Sequence, residues 1–135
     1  MKVFVAAKWE DRTAAQDLMS HMKILGLTIS YDWTQNDQVS RETALADFDG
    51  VMNADALVFW APLDLGFRGA YVEMGIALAL DLPVYLMGPG ADECIYIHHP
   101  NVTRDLTPLL DAASSTPSDV ADPAWYGHGL SNQFD

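Results

Sequence analysis

The chain of 135 residues has a single cysteine, Cys94, and only seven Lys plus Arg against nineteen Asp plus Glu. One cysteine excludes an internal disulfide and a thiolate metal cluster. The shortage of cations gives a formal net charge of −12, and such a surface repels phosphate backbones and anionic lipid, so neither a nucleic-acid polymer nor a membrane is expected as partner. No apolar run reaches the ~20 residues of a membrane span. The opening Met1-Lys2-Val3-Phe4 lacks the form of a signal peptide, and a cytoplasmic location is expected. There is no Gly-x-Gly-x-x-Gly after the first apolar run and no Lys-Ser/Thr after Gly88-Pro89-Gly90. Dinucleotide oxidoreduction and ATP hydrolysis therefore lack support, and no cofactor is expected.

Half of the residues are hydrophobic, enough for one globular domain with its own core. Lys2 to Ala7 reads as a strand covered on both faces. Arg12 to Leu25 places Ala15, Leu18, Met19, Met22 and Leu25 at helical spacing, with Gly26 as the C-terminal stop. Leu27 to Trp33 reads as the second strand. Ser40 suits the cap of a helix running to Asn53, with Ala44, Leu45, Phe48 and Met52 on one face. Asp55 to Trp60 is a third strand, and Ala61 to Gly69 a loop into an apolar helix that stops before Pro83. Pro83 to Met87 is the fourth strand, Ile95 to Ile97 a short fifth, and Arg104 to Ala113 a weak last helix. From Ser114 onward Ser, Thr, Pro and Asp dominate. Residues 1–113 are thus expected to form the domain, and residues 114–135 a tail, loose or docked on a neighbouring subunit through Trp125, Tyr126 and Phe134.

Strands alternating with helices predict a doubly wound, Rossmann-like α/β sheet, mostly parallel and five-stranded, whose ligands bind outside the carboxyl ends of the strands. That edge would gather Ala7, Lys8, Trp9, Asp32, Trp33, the Ala61–Gly69 loop and Glu73. Glu73 is a carboxylate inside an apolar helix. Read in the first turn, it is expected to be favoured as an anion by the helix dipole and able to act as a nucleophile on a sugar carbon. Trp9 and Trp33 suit stacking on a nucleobase or packing at a rim. Asp32 either orients a base or sugar hydroxyl or simply forms a turn. His98 and His99 stand side by side, and adjacent side chains on an extended segment point apart. With no third ligand in view, no metal is expected, and His98 is instead a candidate to protonate a departing base.

The run Gly69-x-x-x-Glu73-x-Gly75-x-Ala77, after a strand opened by Ala54-Asp55-Ala56 and before a Pro-Val strand, resembles the signature of the nucleoside 2-deoxyribosyltransferase superfamily, which includes nucleotide N-glycosidases. Val5-Ala6-Ala7-Lys8-Trp9-Glu10, Ser30-Tyr31-Asp32-Trp33-Thr34 and His98-His99-Pro100 are similar to one small subgroup of it. The likeness spans about Met1 to Asp105. It implies a flavodoxin-like sandwich, a small-molecule nucleoside or nucleotide as substrate, and Glu73 as the nucleophile that displaces the base. A second base then accepts the sugar in a transferase, and water in a hydrolase. Where transferases carry a proton-handling aspartate, two residues before the motif glycine, this chain has Phe67, so Asp64 is the candidate substitute. Arg68, Gly69 and Lys8 are candidates to meet the substrate. The resemblance also implies a homo-oligomer in which a neighbour completes the pocket. Two other readings stay open, a protein of the same fold that binds a nucleotide or nucleotide signal without cleaving it, and a glutamate-dependent cleavage of NAD.

Overall fold

Strand β1 (Lys2–Ala6) lies next to the edge of a five-stranded sheet with β2 (Thr28–Ile29), β3 (Ala56–Trp60), β4 (Val84–Met87) and β5 (Val102–Thr103), in the order β2-β1-β3-β4-β5, with β3 in the middle and all four pairings parallel. This is the flavodoxin-like order, with its switch point between β1 and β3. The structure, a computed structural model, describes residues 1–63 and 69–115. Asp64, Phe67, Arg68 and the tail aromatics Trp125, Tyr126 and Phe134 lie outside them.

The central strands follow from their composition. β1, β3 (Ala56–Trp60) and β4 (Val84–Met87) are continuous apolar runs, and Phe4, Val5, Leu57, Phe59 and Val84 are fully buried, as both faces of a helix-covered sheet require. Helix α1 (Arg12–Ile24) buries Ala15, Leu18, Met19 and Met22, and Gly26 ends it with φ 94°. Right-handed crossovers place α1 on one face of the sheet and α2 (Arg41–Met52) and α3 (Gly69–Ala79) together on the other, where the two helices pack on each other.

The edges of the sheet correct the expectations. β2 is only Thr28–Ile29, because Asp32 accepts from the N–H and hydroxyl of Thr34 and starts a 3₁₀ turn at Trp33. The fifth strand is Val102–Thr103, paired with Val84 and Tyr85, and not Ile95–Ile97. Ile97 and His99 instead donate their N–H groups three residues back in successive turns, which leaves Ile95 76% exposed. The last helix, α4 (Thr107–Ser115), starts where the Asp105 carboxylate accepts the Thr107 N–H at 3.0 Å, and it continues past residue 113.

Helix α2 is rotated from its expected orientation. Ser40 and Thr43 cap it reciprocally, but the buried residues are Gly50 and Val51, while Leu45, Phe48 and Met52 stay about half-exposed. Gly50 explains the rotation. A Cβ there would sit 2.8 Å from the Tyr31 Cβ and 3.0 Å from the Phe4 ring, so only glycine lets the helix backbone approach the sheet this closely.

Candidate active site

A cleft of about 1010 Å³ opens at the carboxyl end of β1, between the Lys8–Glu10 segment and the α2–α3 pair. Ala7, Lys8, Trp9, Trp33, Gly69 and Glu73, all candidates from the sequence, line it together with Glu10, Val39, Asp47, Phe48 and Val72. A second lobe of about 410 Å³ adjoins it, sharing Trp9, Trp33 and Asp47 and adding Asn36, Gln38 and Thr43. The volume is at the upper end of what small-molecule sites occupy.

The aromatic wall is built by local bonding. Because β2 ends at Ile29, the β1 edge beyond Val3 has no strand beside it. The Trp33 indole N–H fills this gap by donating to the buried Val5 carbonyl at 2.6 Å, a satisfied bond that fixes the ring under the cleft. Trp9 stands against Trp33 with centroids 6.2 Å apart and planes at 49°. Its outer side is covered by the Arg12 guanidinium, 4.7 Å from the ring centroid, a cation–π contact that holds an otherwise exposed indole. Arg12 also donates to the Trp9 carbonyl.

The opposite wall carries two carboxylates. In α3, Ala70, Met74 and Ala77 face the sheet at intervals of four and three residues. Glu73 flanks that stripe and turns into the cleft. It is the fifth residue of the helix, in the second turn and not the first, so the dipole of the helix start does not stabilise its charge. Burial instead disfavours the anion, and with the added repulsion of Asp47 its carboxyl is pushed up to about 9. Asp47 lies three and four residues before the buried Gly50 and Val51, hence on the inner face of α2. Burial raises its carboxyl too. Its Oδ1 is buried and finds no hydrogen-bond partner among the described residues, an arrangement that costs stability unless a ligand supplies the donor.

Asp47 was not singled out in the sequence. Glu42 and Asp49 on the same helix are exposed, and a third acid among them looks like more solvated surface. The available signal was its three- and four-residue spacing to Gly50 and Val51.

The structure does not bring Asp32 or His98 to the cleft. The Asp32 carboxylate is occupied by Thr34. His98 is exposed in the turn before β5. Neighbouring Asn101 bonds the first residue of β4 through the Val84 N–H, which puts this turn toward the amino end of the sheet. Among the described residues no three His, Cys, Asp or Glu side chains group to hold a metal.

No protein-family model and no curated protein matches the chain. Among solved structures it is similar to the CMP N-glycosidase BcmB of Clostridium botulinum, with a TM-score of 0.55, 17% sequence identity, and coverage of 83% of this chain and 96% of that one. The fold is shared with an N-glycosidase. At that identity the likeness concerns architecture: the same α/β sheet carries the BcmB chain over nearly its whole length. Separately, no described helix is long and apolar enough to cross a membrane.

Proposed function

We propose that the cleft binds a nucleoside or nucleotide and breaks or transfers its N-glycosidic bond, with Glu73 as nucleophile and Asp47 as proton carrier. The observation that carries this reading is the pair of carboxylates, from adjacent helices, turned into one cleft beside Trp9. Burial and the nearby Asp47 carboxylate together raise the proton affinity of Glu73, so the cleft holds a proton there near neutrality. In the reactive arrangement Asp47 holds that proton and Glu73 is ionised. A Glu73 oxygen attacks the anomeric carbon as the bond to the base nitrogen breaks. The bonding electrons leave with the base, which takes the proton from Asp47. Water or a second base then displaces Glu73, and Asp47 recovers a proton from that acceptor.

The neighbour BcmB, a CMP N-glycosidase, agrees with this reaction class, as does the resemblance around Glu73. Asp64 and Arg68, from the loop into α3, keep proposed supporting roles in proton transfer and substrate contact. The same reading takes residues 1–113 as the catalytic unit and the cytoplasm as its place of action.

The test is release of free base from a panel of nucleosides and nucleoside monophosphates. Wild type should release it, and Glu73→Ala should not. Ligand recovered intact from the wild-type protein across the panel would favour the binding-protein reading. The high proton affinity of Glu73 favours one second reading, with roles exchanged, Glu73 as acid and Asp47 as nucleophile. Mass spectrometry of a trapped glycosyl-enzyme decides, since the sugar is carried on the peptide containing Glu73 in the first case and Asp47 in the second.

A further inference from the structure

We infer that the cleft prefers a nucleoside whose base carries a positive charge, as a ring quaternised at nitrogen does. This rests on the reading of the cleft as an N-glycosidic site and names its substrate class. Among the described residues, the charged side chains lining the two lobes are Lys8 against Glu10, Asp37, Asp47 and Glu73. No salt bridge among those residues joins Lys8 to any of the four acids. Asp47 Oδ1 is buried without a donor, and Glu73 is turned into the same space from α3. An opposite charge nearby favours the ionised form of a carboxyl, so a bound cation offsets the burial and repulsion that keep Glu73 protonated. The net charge of −12 also draws cations toward the chain over distance.

The aromatic wall adds to the same preference. Trp9 and Trp33 border both lobes, and an indole face attracts a cationic ring more strongly than a neutral one. Trp9 already holds a cation on its outer side, the Arg12 guanidinium 4.7 Å from its centroid, and Arg12 lines neither lobe. A flat cationic base laid on this wall gains stacking and charge attraction together.

Bond breaking is also simpler with such a base. When the base is uncharged, Glu73 must lose a proton before attack and the leaving base must gain one. A cationic base needs only the first of these, and its binding drives it, Glu73 giving its proton to solvent. A Glu73 oxygen then attacks the anomeric carbon. The electron pair of the breaking bond returns to the ring nitrogen and cancels its charge, so the base departs neutral with no proton added. Water displaces Glu73 and passes a proton to Asp47 and on to solvent, so hydrolysis releases one proton overall.

Two ligand pairs test this. Cationic N3-methylcytidine is set against N3-methyluridine, and N7-methylguanosine at pH 6 against its neutral isostere with carbon in place of N7. Each pair shares sugar and shape, so any contact to the sugar, from Arg68 included, cancels in the ratio. On wild type the cation should bind about tenfold tighter or more, read from the initial quench of tryptophan emission before turnover. Calorimetry in two buffers of different ionisation enthalpy should show proton release with the cations alone. In single turnovers Asp47→Asn should leave release of the cationic base within about threefold of wild type, while release of any uncharged base falls by about 10²-fold. A preference for the cation in either pair supports the inference. Equal affinity within both pairs, or no quench by any of the four at their solubility limits, overturns it, even where Glu73-dependent release of uncharged bases leaves the N-glycosidic reading intact. Cations that bind tighter while no nucleoside releases its base overturn that reading instead and leave the charge preference standing.

Discussion

The two sides of the sheet treat the same residue types in opposite ways. On α1 the apolar residues Leu18, Met19 and Met22 are buried, while Arg12, Asp17 and Lys23 face solvent. On α2 and α3 Leu45, Phe48, Met52 and Val72 are left outside, and Asp47 and Glu73 are turned inward. The first arrangement is what burial of apolar area alone would select. The second spends stability on a polar interior, which is where function is expected.

That contrast can be broken by substitution, and the largest effect is expected at Glu73. Glu73→Gln should lower turnover by about 10⁴-fold and at the same time raise stability by roughly 0.5–2 kcal/mol, because it removes a poorly solvated carboxyl. Steady-state base release and a urea titration check the two halves. On the other side of the sheet, Leu18→Ala should cost about 2–5 kcal/mol of stability in the same titration and leave the rate per folded molecule unchanged. A Glu73 variant that is destabilised as much as Leu18→Ala would remove the distinction between the two faces. Asp47→Asn is expected to lower turnover by about 10²-fold or more and to bring the Glu73 carboxyl down, since one of the two causes of its elevation is gone. Carboxyl resonances followed against pH by NMR show whether it moves.

The same pair sets a pH dependence of stability. Between the ordinary carboxylate range and about 9 the folded chain keeps the Glu73 proton that the unfolded chain has lost. Fewer protons are bound in the unfolded state, so stability falls as pH rises through that window, by at most about 1.4 kcal/mol per pH unit for one proton. Asp47, also raised, acts in the same sense. Thermal melts of wild type should therefore drop from pH 5 to pH 9 relative to those of Glu73→Gln. The smallest expected change is Trp9→Ala, which should weaken ligand binding by about 0.5–1.5 kcal/mol with little effect on folding, measured as KM against kcat.

The central strands were legible because burial on both faces makes an apolar run an unambiguous strand. The edge strands were not: β2 and β5 are two residues each, and their existence depends on partners distant in sequence, such as Val84 for Val102. Ile95-Tyr96-Ile97 had the better strand composition, but it was taken up by turns. The orientation of α2 was hidden for a related reason, since Leu45, Phe48 and Met52 form an apolar stripe as regular as any core face. What overrides it is the contact of Gly50 with Phe4 and Tyr31, a constraint between segments that no local period encodes. Glu73 could be found because a carboxylate in an apolar helix is an anomaly. Asp47 escaped because among acids on a helix of an acidic chain it is not.

The Trp9–Trp33 pair has an optical consequence. Two indoles 6.2 Å apart and inclined at 49° couple their electronic transitions, so the empty cleft should carry an exciton signature in circular dichroism. A planar ligand inserted against Trp9, the exposed member at 45%, would quench its emission and disturb the coupling. Occupancy of this cleft should thus be readable from unlabelled protein, before any product is sought.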